Sequence, residues 1–159
     1  MSTTRATTPA PQARGLRELL ATDHARLERL FDQLVEAFRA DATEEAALAF
    51  SRFDEGLQAH LAFEEHHTLP VFARLAPAEA AALAREHEQI RARLTALCVD
   101  VDVHLARAGS VLDFVRLLRA HARHEDALMG LWSSAGDAPA RPDELCVRWV
   151  EIARRLERG

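Results

Sequence analysis

The stretch HLAFEEHHTLP, residues 60–70, sets His60 and Glu64 four positions apart in a run whose other inward positions are largely apolar. Four residues make about one turn of an α-helix, so the two side chains share a face. The same face extends back through Phe50, Phe53 and Leu57 and forward through His67 and Val71. Alternating steps of three and four mark the buried stripe of an amphipathic helix. An imidazole and a carboxylate inside such a stripe need compensation, because unpaired ionisable groups are costly to bury.

Three further stripes have the same character. Helix A, from about Leu16 to Ala40, presents Leu20, His24, Leu27, Phe31, Leu34 and Phe38. Helix B, which holds the opening stretch, starts after Thr43 as N-cap, with Glu44 and Glu45 following, and runs to about Leu69, before Pro70. Helix C starts near Pro77, ends between Cys98 and Gly109, and presents Leu83, His87, Ile90, Leu94 and Leu97. Helix D opens on a capping box of Ser110 and Asp113, runs to about Trp132, and presents Phe114, Leu118, His121, Glu125, Leu128 and Trp132. Residues 133–142 read as a loop. Asp143–Arg158 reads as a terminal helix with Leu145, Trp149, Ile152 and Leu156 on one face.

The expected fold is therefore all-α: an antiparallel up-down four-helix bundle with a short additional C-terminal helix. Residues 1–15, rich in Thr, Pro and Ala, read as a disordered tail. Residues 16–159 read as one domain, with the core in 16–132 and the C-terminal helix at 143–158. The length of 159 residues suits one domain with a sizeable core.

Composition removes several classes of function. A net charge of −5 lacks the basic footprint of a nucleic-acid binder. No stretch approaches the roughly 20 apolar residues that span a bilayer. Cys98 and Cys146 form no CxxC pattern, so a reduced, cytoplasmic chain is expected. With no Tyr in the chain, a tyrosine acid, ligand or radical is ruled out.

Each stripe thus carries one histidine, and two carry a glutamate four residues later: His60 with Glu64, and His121 with Glu125. A metal compensates such a set directly, since imidazole and carboxylate are its ligands. His24 and His60 each lie about 24 Å from the A–B turn at ~1.5 Å per residue, so they are level. His60 and Glu64 agree with His87 within about a turn. On the C–D side the counts match less well: His121 is 10 residues into helix D, whereas His87 is 20 from Arg107. Either helix C ends near Cys98 or the connection is irregular. Four histidines and two glutamates suit two iron ions bridged by carboxylates in a bundle core. A structural zinc takes about four ligands and favours cysteine. A ferritin-like centre needs Glu-x-x-His on each of two helices, and this chain has that spacing only at Glu64–His67.

At this point a resemblance emerges. DHARLERLFDQL on helix A, HLAFEEHHTLP on helix B, EHEQI on helix C and HARHE on helix D resemble the hemerythrin-like, or HHE cation-binding, domain family over about Leu16 to Trp132. The resemblance implies a non-haem di-iron centre, oxo- or hydroxo- and carboxylate-bridged, on His24, His60, Glu64, His87, His121 and Glu125. Oxygen-carrying members have a second helix C histidine four residues from the first; here those positions are Leu83 and Arg91. They also place an aspartate five residues after the helix D histidine, which here is Asp126. The chain is therefore similar to the six-ligand branch, which includes iron–sulfur repair proteins and an iron-sensing ubiquitin-ligase domain.

The implied function is binding of, or reaction with, O2, NO or peroxide; as an enzyme it would decompose peroxide or reduce NO. The alternative is an iron sensor or donor whose fold depends on metal. The expected partner is a small diatomic ligand or peroxide, with no nucleic acid and no membrane, in a monomer or homodimer. Among the remaining residues, His67 and His124 are candidates for supporting the ligands, and Asp126 is the alternative to Glu125. Glu65, His66 and His104 read as surface groups and Cys98 as a small core residue. Phe31, Phe38, Phe53, Phe63 and Phe114 are expected to form a dry shell around the site. The substitution His104→Ala is expected to leave metal content unchanged, as measured by elemental analysis.

Overall fold

The computed structural model describes residues 11–102 and 108–135. It shows an all-α bundle of four helical rods. The first is α1, Pro11–Arg39. The second is one continuous rod of α2, Thr43–Phe63, a π-helical turn, Glu64–Thr68, and α3, Leu69–Leu75. The third is α4, Pro77–Asp102, and the fourth is α5, Ala108–Ala135. The α1 helix packs on α2 and α5, α2 on α4, α3 on α4 and α5, and α4 on α5.

The α1–α2 connection is a three-residue turn closed by backbone bonds. Ala42 N donates to Ala37 O at 3.0 Å and Asp41 N to Phe38 O at 3.2 Å, the paired bonds of a Schellman end. Asp41 takes the left-handed conformation this needs, with φ 54°, which Asp tolerates better than most residues. Thr43 is not the N-cap expected from sequence. Ala42 occupies that position without a side-chain cap, and the acidic pair Glu44 and Glu45 complements the helix dipole instead.

Two other boundaries differ from expectation. The chain is already helical at Pro11 and at Ala108, the first described residues of their segments. Ser110 and Asp113 therefore lie within α5 rather than opening it, and Asp113 pairs with Arg116 at 3.0 Å. With α4 described to Asp102 and α5 from Ala108, fifteen residues separate His87 from the one bound and thirteen separate His121 from the other, so the two histidines are nearly level. Residues 1–10, His104 and the expected C-terminal helix at 143–158 lie outside the described residues.

Pro70 does not end the second rod. Its ring would strike the carbonyl four residues back in a regular helix, and it has no N–H to donate. The wider π turn relieves this: Leu69 N donates to Glu64 O, five residues back, and the Thr68 hydroxyl donates to the same carbonyl at 3.1 Å. The extra residue also rotates the face. Inward positions after Glu64 become Thr68, Val71 and Phe72, all buried, whereas His67 is half-buried.

The core is split into two apolar clusters. One gathers Leu27, Phe31, Leu34, Phe53, Leu57, Ile90, Leu94 and Phe114. The other gathers Leu16, Leu20, Phe63, Phe72, Leu83, Leu128 and Trp132. On every rod the histidine of the stripe falls between the two, so the bundle carries one polar layer across its middle. Phe31, Phe53 and Phe114 meet in edge-on and tilted contacts at 5.1–6.0 Å on one side of that layer, while Phe63 belongs to the other side. Phe38 packs against the first cluster near the far end of α1, away from the layer.

Candidate metal centre

The polar layer brings together His24 from α1, His60 from α2, Glu64 from the π turn, His87 from α4, and His121 and Glu125 from α5. Five of the six are buried, and His24 is half-buried. Their ligand atoms form two groups that could hold metal ions: His24, His60, Glu64 and Glu125, and Glu64, His87 and His121. Glu64 belongs to both. One of its oxygens, Oε1, lies 2.6 Å from His60 Nε2; the other, Oε2, lies 3.0 Å from His87 Nε2 and 3.4 Å from His121 Nε2. On the first group's far side, His24 Nε2 is 3.0 Å from His60 Nε2 and 3.2 Å from Glu125 Oε2.

These contacts are short, yet many lack hydrogen-bond alignment. Both oxygens of Glu64, both of Glu125, and Nε2 of His87 and His121 are buried without a hydrogen-bond partner. Buried polar atoms are rarely left so, given the desolvation cost. Nitrogen and oxygen atoms about 3 Å apart are what ligands at ~2.0–2.2 Å from a common ion require. The donor set of imidazole and carboxylate suits iron among the transition metals. The residues fit the group that the sequence implied.

Three carboxylates orient the imidazoles from behind. His60 Nδ1 donates to Asp23 at 2.8 Å, and Arg26 Nε donates to the same carboxylate at 2.8 Å. His87 Nδ1 donates to Glu65 at 3.1 Å, and Arg91 grips Glu65 with two bonds at 2.6 and 3.0 Å. His121 Nδ1 donates to Glu86 at 3.2 Å, and His124 Nδ1 bonds the other Glu86 oxygen at 2.8 Å. With Nδ1 engaged as donor, a neutral ring turns the lone pair of Nε2 towards the layer's centre. Outer partners of this kind typically account for a factor of about 10–100 in metal affinity. Asp23→Asn is therefore expected to weaken metal binding by about that factor, measured by chelator competition, with helix content unchanged in circular dichroism.

Electrostatics within the layer favour charge separation. Burial alone would depress His60, but the Glu64 and Asp23 carboxylates outweigh it and hold its pKa well above 6.5. Burial opposes ionisation of Glu64, yet His60, His121 and His87 together bring its pKa well below 4.5. The same contest raises His121, through Glu64 and Glu125. Glu125 is pushed up by burial and by the charge of Glu64. Two carboxylates of one layer thus shift in opposite directions, a pattern that marks functional sites.

The other sequence candidates fall outside the two groups. Asp126 is on the surface, paired with Arg17 at 2.6 Å, whereas its neighbour Glu125 faces the layer. His67 lies against the Phe63 ring at 4.8 Å, because the π turn moves it off the inward face. His124 supports Glu86 and also reaches Glu79 at 3.1 Å. His66 is exposed and bonds the Ala62 carbonyl. Glu65 is not the surface group expected: it sits on the seam with α4, and its side chain reaches His87. Asp23 and Glu86 are functional candidates that sequence reasoning missed.

A helical bundle crossed by a buried layer of histidines and glutamates, in two groups sharing one carboxylate, is a metal-binding bundle in its class. The chain matches the Hemerythrin HHE cation binding domain over residues 16–140, and it belongs to that family. No curated protein and no solved structure matches it. Among the described residues, no helix is long and apolar enough to cross a membrane.

Proposed function

We propose that this chain is a hemerythrin-like di-iron protein that binds or reacts with O2, NO or peroxide. The observation that carries the reading is the sharing of Glu64 between two metal-capable groups. His24, His60 and Glu125 would hold one iron, His87 and His121 the other, and Glu64 would join them. When bound, two adjacent irons supply the redox chemistry and the open positions that small oxygen and nitrogen-oxide ligands need.

The chain's own residues set the conditions for that chemistry. Asp23, Glu65 and Glu86 fix the tautomers of His60, His87 and His121. Phe31, Phe53 and Leu57 on one side, and Phe63 and Leu83 on the other, keep bulk water from the layer. Without metal, Glu125 holds its carboxyl proton to higher pH than an ordinary glutamate. Loading with ferrous iron under anaerobic conditions, then adding O2, NO and hydrogen peroxide in separate samples, tests the reading. The expected result is a change in the iron charge-transfer spectrum with at least one of the three. Iron-loaded protein inert to all three would contradict it.

An iron sensor or donor is the second reading. It draws on the orphaned carboxylate and imidazole atoms that leave the core divided unless an ion joins them. Its test is whether the chain folds without metal: loss of helix content on chelation in circular dichroism would favour it, and a folded metal-free chain with only a lowered melting temperature would count against it.

A further inference from the structure

Gly56 lies buried inside α2, one helical turn before His60. Glycine weakens a helix interior relative to alanine, so a glycine there calls for a reason. The space its side chain would take is already filled. A Cβ at position 56 would fall 3.0 Å from Leu27 Cδ2 and 3.2 Å from both Nη1 and Nη2 of Arg26. Gly130 in α5 is different, since a Cβ there would meet nothing within 4 Å.

What fills the space over Gly56 is chiefly the end of the Arg26 guanidinium. Its Nε donates to Asp23 Oδ1 at 2.8 Å, and Asp23 Oδ2 accepts from His60 Nδ1 at 2.8 Å. The carboxylate is thus held at both oxygens and cannot turn without breaking one of the two bonds. The Asp23 side chain is 3% exposed and that of Arg26 17%, so little water is at hand to replace either partner. Arg26 Nη2 is buried without a hydrogen-bond partner, so that nitrogen does not draw the group to this spot. The bond to Asp23 and the room over Gly56 keep it there.

We propose that Gly56 and Arg26 form a positioning pair for His60: the bare backbone at 56 seats the guanidinium, the guanidinium fixes Asp23, and Asp23 aims the His60 ring into the polar layer. That the ring then meets iron rests on the di-iron reading; the pair itself is built from contacts within the chain. An alanine at 56 pushes Nη1 and Nη2 outward. Because the guanidinium is planar and rigid, Nε moves off Asp23 with them.

The test is Gly56→Ala, made with Arg26 in place and again with Arg26→Ala. With Arg26 in place it should weaken iron binding about tenfold in chelator competition, the low end for a lost outer partner. With Arg26→Ala the same substitution should cost less than about twofold, because contacting residues are not additive. Equal cost in both backgrounds would assign the effect to Leu27 and helix spacing and overturn the pair, as would full affinity in Gly56→Ala. A second readout uses metal-free protein, where the His60 Nδ1 proton bonded to Asp23 is followed by NMR. Gly56→Ala and Arg26→Ala should each move that signal upfield and quicken its exchange with water; Arg26→Ala carries this arm where Gly56→Ala fails to fold. An unchanged His60 signal in the folded variants would sink the pair and leave the di-iron reading standing. A shifted signal in a chain that takes up no iron would do the reverse.

Discussion

Glu64→Ala should strip iron from both halves of the centre, taking it from about two per chain to well below one. The expectation follows from position. Glu64 is the residue common to both metal-capable groups, with one oxygen directed to His60 and the other to His87 and His121. In the proposed centre, losing it would remove a ligand from each ion and the carboxylate that faces three of the imidazoles. Each lost outer partner typically costs about 10–100-fold in affinity, and a direct ligand costs more. His24→Ala provides the contrast, since His24 belongs to one group. It should leave about one iron per chain, with the group around His87 intact. Glu64→Gln keeps the side-chain shape and should still lose iron, which separates lost ligation from lost packing. If Glu64→Ala retained two irons, the shared carboxylate would have no bridging role.

Metal removal should lower the melting temperature by roughly 10–20 °C. Each ion at a free concentration of about 100 Kd stabilises the folded chain by ~2.7 kcal/mol, so two ions give about 5 kcal/mol. For a chain of this size, each kcal/mol shifts the midpoint by about 2–4 °C. The pH dependence has a definite sign. In metal-free protein, His60 and His121 have raised pKa values. Their contribution is fully present below the unfolded value near 6.5 and is lost as pH rises through the folded values. Glu64 and Asp23 are lowered, so theirs is present above about 4 and is lost as pH falls through the folded values. Metal-free protein should therefore be most stable in mildly acidic solution and weaken on the alkaline side. Iron displaces the imidazole protons, so its affinity rises with pH. The gap between loaded and chelated protein should widen from about pH 6 to about pH 8, as scanning calorimetry can measure. A gap that narrowed over that range would contradict the assigned protonation of the layer.

Much of this site can be read along the chain because helices report burial periodically. His24, His60, His87 and His121 each interrupt an apolar stripe, and counting residues from the turns places the first three at one level within about a turn; His121 comes level only with α4 described to Asp102 and α5 from Ala108. What the periodicity hides is any change in helical pitch. Nothing in Glu64–Thr68 announces a π turn, yet it rotates the face by about one residue. Thr68 thereby replaces His67 as the buried residue, and the rod carries on through Pro70. The carboxylates behind the histidines left a fainter trace. Asp23 falls three after Leu20 and four before Leu27, itself a stripe position, but His24 beside it fits the same face equally well. Glu86 stands in the same relation to His87, between Leu83 and Ile90. On a helix, adjacent positions lie about 100° apart, so both can reach a buried seam when their side chains are long. Glu65 reaches His87 from the edge of the stripe, drawn to Arg91 as well as to the imidazole. The capping signal at Ser110–Asp113 misled for a different reason. A Ser and an Asp three apart also suit a helix surface, and there Asp113 meets Arg116.

The most direct test of the account is the number of metal ions bound per chain. Apoprotein loaded anaerobically with ferrous iron, freed of excess and measured by elemental analysis against protein concentration, should hold two irons. A ratio of one, or none, in folded protein would contradict a centre of two ions joined through Glu64.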